Sequence, residues 1–176
     1  MRFAPISKWM AAAGLVALTG GLAVPAFAGP SELNLLTSYI GNWRGEGALH
    51  GAAGSGEPFR CRLSIAKGNQ AKVNYAGRCT LVDMNLSVSG TIAYNDKARL
   101  YEAAMSSNAG FTGIAVGKIN DGRITFDLAE RETDRGGNMV RIGSKISLDK
   151  GQITVEFEVE FNNSGDVLTA KVPFAR

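Results

Sequence analysis

From Asn42 onward, apolar and polar residues alternate with a period of two, and turn-forming residues break the alternation about every dozen positions. Such alternation places successive side chains on opposite faces of a strand. "NWRGEGALHG" carries Trp43, Gly45, Gly47 and Leu49 on one face, and "EPFRCRLSIAKG" carries Phe59, Cys61, Leu63 and Ile65. "QITVEFEVEF" is the cleanest case, with Ile153, Val155, Phe157, Val159 and Phe161 on one face and Glu156, Glu158 and Glu160 on the other. "GFTGIAVGKI" is apolar on both faces, and "ARLYEAAMSS" leaves its parity open. The pattern predicts roughly ten strands. Only "SELNLLTSYI" departs from it: Ser31 can cap a short helix with Leu35, Leu36, Tyr39 and Ile40 along one side.

Asn120-Asp121-Gly122 and Asp149-Lys150-Gly151 are the strongest turn signals between these runs. The connections are short and no later helix is long enough for a crossover, so consecutive strands pair antiparallel. Many one-sided antiparallel strands make a sandwich or an up-and-down barrel. Uniformly short connections, and the edges that ten open strands would expose, favour the barrel.

The cysteines supply a register. Setting Cys61 opposite Cys79 in a hairpin places Phe59 opposite Leu81, Leu63 opposite Gly77 and Ile65 opposite Tyr75, with the turn around Asn69-Gln70-Ala71. One face is then apolar throughout, and a slip of one residue would destroy that stripe. An even pair in an exported chain reads as a disulfide. The same register puts Arg62 opposite Arg78 on the outer face, a like-charge contact best tolerated in solvent.

Export is read from the N-terminus. Arg2 and Lys8 precede the apolar run "WMAAAGLVALTGGLAV", and Pro25-Ala26-Phe27-Ala28 ends in an Ala-x-Ala site. Residues 1–28 are therefore expected to be a signal peptide, residues 29–176 one domain, and the protein periplasmic or secreted. The chain has 19 basic residues, two of them Arg2 and Lys8, against 16 acidic ones. A nearly neutral mature domain argues against a nucleic-acid binder. Nothing after the leader is apolar for long enough to span a bilayer as a helix.

Catalytic chemistry is not legible. His50 is the chain's one histidine, and no nucleophile motif accompanies it. One histidine and a paired set of cysteines leave only carboxylates for a metal, so neither metal nor cofactor is expected. The inward parity assigns Trp43, Phe59, Tyr75, Met84, Phe126 and Phe157 as lining of a ligand cavity. Glu102 joins them if it points inward with Leu100 and Ala104. The apolar lining favours a small hydrophobic or amphipathic ligand. The alternative is a ligand-free envelope protein acting through its surface, with a filled barrel and an external patch such as "GFTGIAVGKI". An enclosed cavity would favour the first reading, and its absence the second.

"GNWRGEG" after a short helix resembles the Gly-x-Trp opening of the calycin superfamily, which comprises lipocalins, fatty-acid-binding proteins and nitrobindin-like barrels. It is also similar to a group of small exported bacterial proteins that pair Gly-x-Trp-x-Gly-x-Gly with two later Arg-Cys sites, here Arg60-Cys61 and Arg78-Cys79. The resemblance implies a closed barrel in which a cation from the last strand stacks on the opening indole. Arg176 shares the parity of Leu168, Ala170, Val172 and Phe174 and can take that place over Trp43. Nitrobindin-like barrels bind haem through a histidine late in the chain; His50, at the end of the first strand, departs from that pattern.

Overall fold

A computed structural model describes residues 30–176 apart from 52–53, 55, 82–84, 111 and 134–136. The signal-peptide reading of residues 1–28 and the cavity assignment of Met84 lie outside the described residues. Helix α1 (Pro30–Thr37) precedes ten strands: β1 (Gly41–His50), β2 (Glu57–Lys67), β3 (Lys72–Thr80), β4 (Asn85–Asn95), β5 (Leu100–Ser107), β6 (Thr112–Asn120), β7 (Arg123–Thr133), β8 (Met139–Asp149), β9 (Gln152–Phe161) and β10 (Val167–Ala175). Each strand pairs antiparallel with its sequence neighbours, and β1 pairs with β10 to close the barrel. Closure leaves no sheet edge to satisfy.

Local signals account for most of the joints. Asp121-Gly122 and Lys150-Gly151 form two-residue hairpin loops with positive φ at both positions, the backbone of a type I′ turn. Between β2 and β3, Gln70 and Ala71 turn the chain with φ of 54° and 59°. The β2–β3 ladder runs from Arg60 opposite Thr80 to Lys67 opposite Val73 and sets Cys61 opposite Cys79. Their Cα atoms lie 4.0 Å apart and the sulfurs are bonded.

The helix begins at Pro30, one residue before the serine expected to cap it. Proline suits the first helical turn because its missing N–H is an orphan there in any case. The Ser31 hydroxyl donates to the Glu32 carboxylate at 2.7 Å and caps no backbone N–H.

The interior is filled unevenly along its axis. Tyr39, Trp43, Tyr101, Ile124 and Ile153, all at the end carrying α1, are at most 1% exposed. Two close approaches tighten the wall. A Cβ on Gly45 would stand 2.6 Å from Val172 and 2.9 Å from the Pro173 carbonyl, so β1 meets β10 this closely only without a side chain there. A Cβ on Gly90 would lie 2.6 Å from the Tyr75 hydroxyl and even nearer the Ala104 carbonyl. Tyr75, its cross-strand partner, lays its ring over the vacated space and donates to the Ala104 carbonyl at 3.1 Å.

Candidate functional site

The two ends of the barrel are built differently. At the first end lie the short turns between β6 and β7 and between β8 and β9, and helix α1, which packs against β3 and β4. The segment that joins the helix to β1 is pinned by specific contacts. Trp43 Nε1 donates to the Tyr39 carbonyl at 2.9 Å. The Arg176 guanidinium lies 4.5 Å from the Trp43 ring centroid and donates to the carbonyls of Ser38 and Ile40. One cation thus covers the indole face and satisfies carbonyls just after the helix, where the helix dipole favours positive charge. Tyr101 adds a hydroxyl donated to the Glu32 carbonyl at 3.4 Å. Burial pushes the Tyr101 phenol up to about 12, with the Glu32 charge adding to the shift.

The opposite end is open. Leu86, Val88, Met105, Ile142, Val159 and Leu168 all have inward parity there, yet each is only half-buried. The chain leaves β1, β3, β5, β7 and β9 at this end. Between mouth and lid the interior holds a cavity of about 10 Å³, bounded by residues that include Tyr75, Met105, Phe126 and Ile146. That is room for a single water, far below the ~300–1,000 Å³ typical of ligand pockets.

The expected cavity residues therefore separate. Tyr75 and Phe126 meet at the small cavity. Trp43 belongs to the lid. Phe59 is buried against the Gly47 backbone, where a Cβ on Gly47 would touch its ring at 3.0 Å. Phe157 is half-buried against the core. Glu102 is not in the interior: β5 turns Tyr101, Ala103 and Met105 inward, and Glu102 is exposed and accepts from Asn95 Nδ2 at 2.9 Å. Burying Tyr101 and Ala103 decides that parity over the alternative with Leu100 and Ala104, which would have buried a carboxylate.

A larger hollow, about 680 Å³, lies on the outer surface across β7, β8, β9, β10 and β1. Ala48, His50, Ala129, Gly143 and Thr169 are among the residues that line it. Its charges are mixed: Lys145 faces Asp127 at 3.8 Å, Lys171 pairs with Glu156 at 2.8 Å, and Glu158 lies in the same hollow. Lys171 holds the Glu156 carboxyl below its ordinary value through a hydrogen bond and its charge. No group of three His, Cys, Asp or Glu side chains among the described residues is arranged to hold a metal ion.

Residues 32–172 match the family described as the THAP4-like, heme-binding beta-barrel domain. Among solved structures, Rv2717c from M. tuberculosis superposes with a TM-score of 0.59 at 17% identity, covering 82% of this chain and 97% of that one. The S-type phycobiliprotein lyase CPES from Guillardia theta superposes with a TM-score of 0.54 at 12% identity, covering 80% of this chain and 89% of that one. At these identities the two structures speak for the barrel fold alone. No curated protein matches significantly.

Proposed function

Starting from the fact that the chain belongs to the THAP4-like, heme-binding beta-barrel domain family, we propose that it is a non-enzymatic barrel that takes a small apolar or amphipathic ligand at its open end. The filled interior by itself weighs toward the ligand-free alternative; the observation that carries the ligand reading against it is the burial gradient toward the mouth. Inward apolar side chains are sealed from water beneath α1 but left half-buried around Leu86, Val88, Met105 and Leu168. Apolar surface left wet inside a barrel gains by being covered, at roughly 25 cal/mol per Å². Met105, unbranched and adaptable, can shift to admit a guest.

Haem, the group in the family's description, does not fit these residues. The sole histidine, His50, is on the outer surface, and Cys61 and Cys79 are consumed in the disulfide. Tyr75 faces inward, but burial pushes its phenol up to about 12 and its hydroxyl is spent on the Ala104 carbonyl. The cavity of about 10 Å³ beside Tyr75 holds no macrocycle. The hollow beside His50 is open to solvent, and its two lysines, Lys145 and Lys171, are already paired with Asp127 and Glu156, which leaves no free ammonium among its lining residues for haem propionates. Export, expected from residues 1–28, would put the proposed ligand in the cell envelope or outside the cell.

A second reading, a surface-acting barrel with no ligand, draws on Ile114 and Val116. They stand 72% and 45% exposed on the outer face of β6, the strand that is apolar on both sides. One titration separates the two. With 8-anilinonaphthalene-1-sulfonate as probe, saturable binding should weaken by at least about tenfold in Val88→Asp, because a buried carboxylate would have to be desolvated, and should be unchanged in Ile114→Asp. The reverse pattern would favour the surface reading. Hemin titrated alongside should give no Soret shift that depends on His50, read as identical spectra for wild type and His50→Ala.

A further inference from the structure

The outer face of β1, β2 and β3 carries three arginines in one row. Arg44 stands directly opposite Arg62, and Arg62 directly opposite Arg78. All three are exposed, and among the described residues none of their guanidinium groups makes an ion pair or a hydrogen bond. Like charges facing each other across strands weaken a sheet. Elsewhere this barrel avoids the problem: Lys145 and Lys171 both face Glu156, and the pair Arg131–Arg141 is relieved by Glu160, 2.8 Å from Arg141. The arginine row has no such relief. The next row on one side is neutral, Asn42, Ser64 and Ala76. On the other side Glu46 and Arg60 cancel each other at 3.1 Å. The unbalanced charge is therefore local, in a domain that is otherwise close to neutral.

The disulfide sits at the same place. Cys61 and Cys79 are the pair immediately next to Arg62 and Arg78 in the ladder, bonded on the inner face beneath the repelling guanidinium groups. A covalent bond clamps β2 to β3 where electrostatics would push them apart.

The row's shape selects its partner. Strand spacing of about 4.8 Å spreads the three arginines along roughly 10 Å of the barrel's convex outside. Neither of the two hollows described above includes them. A single phosphate needs donors that converge on it, whereas a line of separate cations matches a surface of separate anions. The apolar residues Ile114 and Val116 lie on β6, on the far side of the ring from β1, so they add no anchor to this face. We propose that the Arg44–Arg62–Arg78 ladder docks the barrel electrostatically, without insertion, on a surface of anionic phospholipid headgroups.

The test is co-sedimentation of the purified chain with phosphatidylcholine vesicles, with and without about one-third phosphatidylglycerol, at low salt. The triple variant Arg44→Gln, Arg62→Gln, Arg78→Gln should lose binding to the anionic vesicles on the order of 100-fold. Replacing all three by lysine should retain it. Changing Lys67, Lys72 and Lys97 to glutamine removes the same charge elsewhere and should alter binding less than about threefold. Wild-type binding to the anionic vesicles should collapse as salt rises to about 0.5 M. The glutamine ladder variant should melt at or above the wild-type temperature, since like-charge contacts have been removed, which separates lost docking from lost fold. The proposal is overturned if wild type shows no preference for anionic vesicles, if the two glutamine triples weaken binding equally, or if ladder-dependent binding to duplex DNA exceeds that to vesicles.

Discussion

Trp43→Ala should destabilise the protein by about 3–5 kcal/mol, the largest single-site loss we expect. Trp43 is 1% exposed and is the piece on which the lid is assembled. Its removal leaves a cavity under α1, takes the donor from the Tyr39 carbonyl, and strips Arg176 of the ring it covers. Such a loss is a large share of the ~5–15 kcal/mol that holds a domain of this size together. Equilibrium urea unfolding followed by far-ultraviolet circular dichroism reads it directly as a lower midpoint. Trp43→Phe, which keeps a ring but loses the N–H, should fall between wild type and alanine. A near-wild-type midpoint for Trp43→Ala would mean that the lid is not anchored through the indole.

Reducing the Cys61–Cys79 bond should lower stability by about 3 kcal/mol, the loop-closure value for a separation of 18 residues. Both residues face the interior, Cys61 almost fully buried, so the paired Cys61→Ala, Cys79→Ala variant isolates the constraint from thiol chemistry. Urea midpoints measured with and without reductant check the value. The reduced wild type should match the double variant, with a steeper denaturant slope as the unfolded chain expands. An unchanged midpoint would mean that the remaining contacts between β2 and β3 hold the hairpin unaided.

The architecture was readable where sequence and backbone geometry share a period. Alternation in "QITVEFEVEF" and "EPFRCRLSIAKG" marked strands, the Asp-Gly and Lys-Gly turns marked hairpins, and the facing cysteines set the β2–β3 register that put Arg62 against Arg78. The parity of β5 was not readable, because "ARLYEAAMSS" offers small residues to both faces and only the burial of Tyr101 against α1 decides between them. Ser31 misled as a cap because Pro30 can open the helix a residue earlier. The filled interior was hidden for a different reason. Whether glycines such as Gly90 leave a void or receive a neighbour's ring depends on the rotamer of Tyr75, and alternation carries no rotamer information. The arginine ladder needed one further fact, the β1–β2 register that adds Arg44 to the row.

One end of this barrel is sealed by the Trp43–Arg176 lid, and the other is the apolar mouth we propose for a small guest other than haem. Native mass spectrometry of the protein isolated from its own cells tests this most directly. One equivalent of a small apolar or amphipathic adduct is expected, released by Val88→Asp and retained by Ile114→Asp. A bare chain mass, or the mass of a bound haem, would contradict it.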